Sequence, residues 1–180
     1  EYMSDVTAKP ILKWAGGKRQ LISEISSAFP DGFGTTITKY VEPFVGGGAI
    51  LFNVLSKYDL DEIYISDVNA ELINMYIQIR DNVNELIKIL IDFQNNFLAL
   101  TKEEQKKYYY KRREDYNHLI QTGQSKNTVL SAALFIFLNR TCFNGLYRVN
   151  KKGFFNVPCG NYVNPSICNE ANIRAVSEAL

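Results

Sequence analysis

The sequence predicts an α/β fold with a parallel sheet, and three observations lead to that prediction. Two short apolar segments, each suited to a strand, end in a glycine-rich or acidic stretch and are followed by helical patterns. The longest apolar segment is too long for one strand and indicates a buried helix. A chain of 180 residues has room for one domain with a full hydrophobic core.

The first unit is a strand over 38–44, a loop at Gly46 to Gly48 and a helix over 49–58. The next strand is expected over 61–67, where isoleucines alternate with other residues before Asp67. Parallel strands joined by helices place ligands beyond the carboxyl ends of the strands. The glycines and Asp67 are therefore expected to lie close together.

The rest of the chain is predicted to be mostly helical. Thr101 and Glu104 have the spacing of a capping box at the start of a long polar helix. The run at 108–114 is interpreted as a solvated charged face of that helix. The remaining predictions are a helix over 70–82 capped by Asn69 or Asp67, a helix over 84–100, a buried helix over 128–141 that delivers Asn139 and Arg140 to a surface, a hairpin of 146–149 with 153–157, and a helix over 170–180.

The charge is distributed unevenly although the net charge is only +1. From Tyr116 to Asn169 there is no acidic residue, while five side chains are basic: Lys126, Arg140, Arg148, Lys151 and Lys152. Solvated surfaces usually mix both signs, so this stretch favours a polyanion partner, either nucleic acid or phosphoinositide.

Several classes of protein are disfavoured. No stretch approaches the roughly 18 apolar residues of a membrane span, so we expect a cytoplasmic protein with no membrane partner. The three cysteines never form a CxxC pair and the single histidine, His118, stands alone, so no metal site is expected.

The glycine loop and Asp67 fit a nucleotide-type ligand. Glycines let the backbone approach a ligand, and an acid about 20 positions later accepts hydrogen bonds from ribose hydroxyls. The pattern is not GxGxxG, so a dinucleotide is not favoured. The alternative is a simple glycine turn followed by a helix-capping aspartate.

The segment LKWAGGKRQL, residues 12–21, allows two interpretations. It lacks the first glycine and the Ser or Thr of a phosphate-binding loop. In one interpretation Trp14 and Lys18 contact a small zwitterionic ligand, with Trp14 packing on it and Lys18 facing its carboxylate. In the other, Trp14 is a structural residue anchored in the core.

Four motifs in order resemble the DNA adenine N6-methyltransferases of the Dam and DpnII type. They are LKWAGGKRQL, YVEPFVGGGAILFN, SDVNAELINMY and FLNRTCFNGLYRVNKKGFFNVPCGNY. The resemblance implies a Rossmann-like S-adenosylmethionine-dependent methyltransferase domain with an incomplete sheet and a helical and hairpin target-recognition insertion. Residues 1–80 would be the cofactor part, and residues 81–180 would recognise DNA.

The resemblance also implies site residues. The cofactor contacts would be Trp14, Lys18, Glu42, Phe44, Gly46, Gly48 and Asp67. The contacts to double-stranded DNA would be Arg140, Phe143, Asn144, Leu146, Arg148, Lys151 and Lys152. Arg148 would read a guanine, often within GATC, and Phe143 and Asn144 would lie where the adenine is flipped. Such a protein would be bacterial or phage-encoded and associated with the nucleoid.

The family's catalytic motif, Asp-Pro-Pro-Tyr or a close variant, is not found in the sequence. The five prolines are isolated, at positions 10, 30, 43, 158 and 165. The expectation is an N-terminal part of a methyltransferase that does not methylate DNA by itself.

Two alternatives use the same residues differently. A cytosine-5 methyltransferase would use Cys159 of the Pro-Cys pair as a nucleophile, but no glutamate follows before Glu170 to hold the base. A non-catalytic DNA-binding module would explain the basic stretch equally well and would not need a cofactor site.

Overall fold

The computed structural model describes residues 6–16 and 18–180 of the chain. This part of the chain is a mixed α/β structure with a two-stranded parallel sheet. In chain order the elements are α1 (Ile22–Ser27), β1 (Lys39–Glu42), α2 (Ala49–Leu55), β2 (Glu62–Ile65), α3 (Ala70–Asp81), α4 (Val83–Leu98), α5 (Lys102–Gln121), α6 (Val129–Thr141) and α7 (Glu170–Ala179). Short 3-10 turns at Lys18–Leu21 and Phe143–Gly145 complete the regular structure.

The predicted strand–loop–helix–strand unit is confirmed. β1 and β2 run parallel, with Lys39 opposite Glu62 and Glu42 opposite Ile65, and α2 lies between them in the chain. Both strands are shorter than predicted, and β1 ends at Glu42 because Pro43 has no N–H to donate to a ladder and the chain then turns into the glycine loop. One face of the sheet packs Ile63 and Ile65 against the core.

The other face of the sheet is uncovered in the described residues. Val41 and Tyr64 are partners in the register, and their side chains are 64% and 56% exposed. Neighbouring side chains in the pleat alternate between faces, so the same two strands present one packed and one open surface.

Both predicted helix caps are present. The Asn69 side chain accepts hydrogen bonds from the backbone N–H groups of Glu71 and Leu72, each at 3.1 Å, at the start of α3. Thr101 and Glu104 form a reciprocal capping box that begins α5. These contacts satisfy N–H groups that the helix itself leaves without partners.

The predicted buried helix is α6, which lies at the centre of the core and packs against α3, α4 and α5. One hydrophobic cluster runs from Leu12 to Val176, so residues before and after position 80 share a single core. The expectation that Asn139 reaches a surface is wrong, since its side chain is only 5% exposed. Its amide is buried because it binds the backbone of Lys13, accepting from N–H at 2.9 Å and donating to the carbonyl at 2.7 Å.

The interpretation of 108–114 as only a solvated face is also wrong. Tyr109 is completely buried, and its hydroxyl donates to the Val157 carbonyl at 2.8 Å. Arg113 donates to the same carbonyl at 3.2 Å. The helical repeat places Tyr109 and Arg113 one turn apart on the inner side of α5, where the later part of the chain packs.

The predicted hairpin is present in a minimal form. Val149 and Phe155 form one antiparallel bridge, and Asn150 donates to the Phe154 carbonyl at 2.9 Å. The Asn150 side chain accepts from the N–H groups of Lys152 and Phe154 and so closes the turn. The arms are too short to form extended strands.

The 3-10 turn at Lys18–Leu21 and the short helix α1 were not predicted. The last helix, α7, begins at Glu170 as expected, with the Asn169 side chain accepting from Asn172 N–H at 3.2 Å. Within 6–16 and 18–180, no helix has both the length and the apolar composition required to cross a membrane.

Candidate functional site

The glycine loop joins β1 to α2 and brings the backbone close to two aromatic rings. Gly46 and Gly48 have φ values of +53° and +83°, in the left-handed region that favours glycine. A Cβ added to Gly47 would lie 2.8 Å from the Trp14 Cβ, and one on Gly48 would lie 2.5 Å from the Phe52 ring. Glycine at these two positions is therefore required by close packing.

Asp67 lies directly after β2 and contacts the glycine loop. One carboxylate oxygen accepts the Gly46 N–H at 3.0 Å, and the other accepts the Asn69 N–H at 3.0 Å. Asp67 orders the start of α3, as a helix-capping aspartate would. Each of its carboxylate oxygens can still accept a further hydrogen bond, so a role as acceptor for ribose hydroxyls is compatible with the capping role.

Lys18 lies across the loop from the buried Glu42. Its ammonium donates to the Phe44 carbonyl at 2.8 Å and is 3.5 Å from the Glu42 carboxylate. Burial raises the pKa of Glu42, while hydrogen bonds from Tyr40 and Lys18 oppose that rise. The ammonium therefore balances a carboxylate that the protein has removed from water.

Trp14 is half-buried, and its ring packs between the glycine loop and Tyr147. Its ring lies against Gly46 and Gly47 on one side. On the other it stacks on Tyr147, with ring centroids 5.5 Å apart and an interplanar angle of 27°. Trp14 therefore links the glycine loop to the residue that precedes Arg148.

These residues surround an open cleft of about 840 Å³. Six of the seven predicted cofactor residues line it, namely Trp14, Lys18, Glu42, Phe44, Gly46 and Asp67. Gly48 does not line the cleft, because it turns toward Phe52 and the start of α2. The sequence prediction missed the segment 7–10 and Asn53; the latter is a polar residue within the otherwise apolar helix α2, a signal that was available.

Arg148 is exposed on the first arm of the hairpin and is held in place across it. Its Nε donates to the Asn156 side-chain oxygen at 2.7 Å, and an Nη donates to the Asn156 carbonyl at 3.2 Å. Asn156 was not predicted. Lys151 and Lys152 lie exposed at the tip of the turn.

Side chains of α5 fix the second arm of the hairpin. Asn117 exchanges two hydrogen bonds with the backbone of Phe155, both at 2.9 Å, in addition to the contacts of Tyr109 and Arg113 with Val157. The hairpin is therefore attached to the rigid core even though its own ladder is short.

The other predicted DNA contacts lie in different environments. Phe143 is 49% exposed, and Asn144 has a φ of +52° in the 3-10 turn that precedes the hairpin. Leu146 is half-buried and packs against the core. Arg140 is half-buried at the end of α6, where its Nε donates to the Ser166 carbonyl at 2.7 Å. Phe143 and Asn144 are thus presented to solvent more fully than Leu146 and Arg140.

The cysteines do not have the environment of an activated nucleophile. Burial raises the pKa of the Cys159 thiol, and burial raises that of Cys142 to about 11. A thiolate is the reactive form, so a raised pKa disfavours attack on a base. Across 6–16 and 18–180, no group of three or more His, Cys, Asp or Glu side chains gathers in a way that could hold a metal ion.

The fold is that of an α/β protein with an open cleft at the carboxyl ends of parallel strands, the position at which such folds generally bind ligands. The chain belongs to the D12 class N6 adenine-specific DNA methyltransferase family, which matches residues 14–180. The resemblance seen in the four motifs is thereby confirmed.

Three relatives illustrate the similarity. The chain is 48% identical over 173 residues to the type II methyltransferase M.MjaIII of Methanocaldococcus jannaschii, covering 96% of this chain and 59% of that protein. It is 38% identical to the type II methyltransferase M1.LlaDCHI of Lactococcus lactis, covering 97% and 56%. It is 36% identical to the DNA adenine methylase of Serratia marcescens, covering 87% and 51%. The chain therefore spans between half and three fifths of the length of these curated relatives.

Proposed function

We propose that this chain forms the cofactor-binding and DNA-reading part of an adenine-specific DNA methyltransferase, which transfers a methyl group from S-adenosylmethionine to N6 of adenine in duplex DNA. The observation that carries the proposal is a single cleft lined by six predicted cofactor residues and joined through Trp14 to Tyr147, the neighbour of Arg148. Residues 1–80 supply the cofactor part of a Rossmann-like domain, and residues 81–180 supply the reading region.

The cleft fits S-adenosylmethionine in size and charge. Its volume of about 840 Å³ lies within the roughly 300–1,000 Å³ of ligand pockets. The lining residues Lys18, Glu42 and Asp67 provide both signs of charge for a ligand that carries a carboxylate, an ammonium and a sulfonium. The glycine loop leaves the backbone bare where a side chain would meet Trp14.

Each lining residue has a definite role in this proposal. Asp67 accepts hydrogen bonds from the ribose hydroxyls, and Trp14 covers an apolar face of the ligand. Lys18 faces the carboxylate of the methionine part, and Glu42 faces its ammonium. When bound, S-adenosylmethionine supplies an electrophilic methyl group.

On the DNA side, Arg148 reads guanine in a GATC-like site, since its fork matches O6 and N7 of that base. Asn156 holds the guanidinium in a fixed direction, which reduces the entropy lost on binding. Phe143 and Asn144 fill the space left by the flipped adenine, and Lys151 and Lys152 contact phosphates.

Calorimetric titration of the purified chain with S-adenosylmethionine tests the cofactor site. We expect saturable heat for the unmodified chain and an affinity weaker by on the order of tenfold or more for Asp67→Ala, because hydrogen bonds to charged groups contribute about 1.5–3 kcal/mol. Asp61→Ala is the matched control, since Asp61 is exposed and does not line the cleft.

Asp67 also orders the loop, so the thermal unfolding of each variant should be recorded alongside the titration. Absence of heat with the folded, unmodified chain at millimolar ligand would overturn the cofactor assignment and favour a non-catalytic DNA-binding module. Equal affinities for the two variants would remove Asp67 from the site.

A further inference from the structure

A second concave site lies on the side of α5 that faces the chain after the hairpin. It is a cavity of about 260 Å³ whose lining combines the basic and polar side chains of Lys102, Lys106, Thr141 and Asn161 with apolar ones such as those of Phe97 and Cys159. One water molecule occupies about 30 Å³ of liquid, so this space holds a phosphate group together with several waters. Neither the cofactor cleft nor the predicted DNA contacts include these four basic and polar residues.

Two lysines line this cavity, and a third lysine, from a distant part of the chain, contacts the ring of Tyr162, which also lines it. Lys102 and Lys106 line it from adjacent turns of α5, and the Lys102 ammonium donates to the Tyr162 carbonyl. The Lys13 ammonium lies 4.4 Å from the centroid of the Tyr162 ring. Tyr162 is therefore contacted by a cation at its backbone and by another at its ring.

No carboxylate compensates these cations. The cavity lining contains no acidic residue, and Lys13, Lys102 and Lys106 form no ion pair with a carboxylate within the part of the chain that the structure describes. Cations without a carboxylate partner around a concave surface create a positive potential that attracts an anion.

The outer side of the same helix shows the opposite arrangement. Lys107 lies 3.4 Å from Glu103, and Lys111 lies 3.3 Å from Asp115, each at a spacing of one helical turn. Both sides of α5 thus carry lysines, but only the lysines of the outer side are paired with carboxylates. The unneutralised side also carries Tyr109 and Arg113, which hold the second arm of the hairpin.

We infer that the cavity formed by Lys102, Lys106, Thr141 and Asn161 is a phosphate site that grips the DNA backbone beyond the segment read by Arg148. This inference rests on the proposed function, since it names a further contact to the same DNA. The two lysines supply charge and hydrogen bonds, the Asn161 amide supplies a further hydrogen bond, and Lys13 adds to the positive field. Such a contact raises affinity for every sequence and discriminates among none.

The test compares two double variants of equal charge change, Lys102→Gln with Lys106→Gln and Lys107→Gln with Lys111→Gln. Duplex affinity is measured by fluorescence anisotropy over a series of salt concentrations, with a GATC duplex and an unrelated duplex. The slope of log K against log[salt] is negative, and each lost phosphate contact makes it shallower by about 0.9. We call the Lys102→Gln, Lys106→Gln protein the inner variant and the Lys107→Gln, Lys111→Gln protein the outer variant. The slope of the inner variant is expected to be shallower by about 0.9, and its affinity for both duplexes should fall by the same factor. The outer variant is expected to keep the slope of the unmodified chain.

The outcomes separate the inference from the proposed function. Equal slopes for the inner and outer variants would overturn the phosphate site, although DNA binding itself would stand. A different result would be that inorganic phosphate binds the unmodified chain but not the inner variant in calorimetry, with the same DNA salt slope for both proteins. That result would identify a site for small anions and would also overturn the inference. Failure of the folded, unmodified chain to bind either duplex would overturn the DNA-reading function.

Discussion

Asp67 shows how one residue can order two segments of the chain and also line the cleft. Its carboxylate accepts the Gly46 and Asn69 N–H groups, so it fixes the glycine loop and the start of α3 in one position. The sequence pattern of a strand end, three glycines and a later acid predicted this neighbourhood correctly, because the carboxyl ends of parallel strands meet at one edge. It could not predict that both oxygens already have backbone partners.

Arg148 carries the sharpest prediction at the scale of a single residue. Arg148→Lys keeps the charge but removes the fork that matches guanine, which contributes about 1–3 kcal/mol of discrimination. We expect preference for a GATC duplex over one with the guanine replaced to fall by about tenfold or more, with little change in binding to unrelated DNA. Competition anisotropy measures both quantities.

The control for Arg148 is Lys152→Gln at the exposed tip of the hairpin. This variant should weaken binding to all duplexes by a similar factor, because a phosphate contact carries no sequence information. Full discrimination retained by Arg148→Lys would show that another group reads the base.

At the scale of elements, the main finding is that α5 and α6 support the hairpin. Tyr109, Arg113 and Asn117 on α5 bind the backbone of its second arm, at Phe155 and Val157. Asn139 at the end of α6 binds the backbone of Lys13 and donates to the Gly145 carbonyl at 3.3 Å. The second arm of the hairpin is therefore held by α5, while the segment that carries Trp14 and the turn before the hairpin are held by α6.

The Trp14–Tyr147 stack predicts coupling between the proposed cofactor site and the proposed DNA site. Such pairs contribute about 0.5–1.5 kcal/mol, so we expect bound S-adenosylmethionine and bound DNA to strengthen each other by a factor of about two to ten. Tyr147→Leu should abolish this factor, while Tyr147→Phe should retain it because the ring remains. Trp14 is the only tryptophan, so its fluorescence reports both binding events directly.

Thermodynamic linkage supplies an internal check on this coupling. The factor by which DNA improves cofactor affinity must equal the factor by which the cofactor improves DNA affinity. A coupling factor unchanged in Tyr147→Leu would mean that the stack does not connect the sites.

At the scale of the whole molecule, one hydrophobic core unites the residues around the cleft with the hairpin. Leu12, Leu51 and Leu72 belong to the same buried cluster as Phe137 and Val157. The face of the sheet that carries Val41 and Tyr64 is open in the described residues. The sheet thus packs on one face only, while α6 is buried along nearly its whole length.

The 180-residue chain is predicted not to methylate DNA by itself. No two prolines are adjacent in the sequence, so the tetrapeptide that holds the adenine amino group in the family is not present in these residues. With radiolabelled S-adenosylmethionine and a GATC duplex, we expect incorporation at the level of a protein-free blank. The DNA adenine methylase of Serratia marcescens serves as the positive control, and clear incorporation by the chain would contradict the prediction.

The sequence by itself determined most of the local structure. Strand and helix periodicity, the caps at Asn69 and Thr101, the glycine loop and the acid-free stretch each depend on residues that are close together in the chain. Tertiary structure alone decided which distant side chains meet. The stack of Trp14 on Tyr147 and the convergence of Lys13 and Lys102 on Tyr162 arise from the way the helices pack. Local patterns do not contain that information, because each of these contacts joins segments that are far apart in the sequence and are brought together only by the shared core.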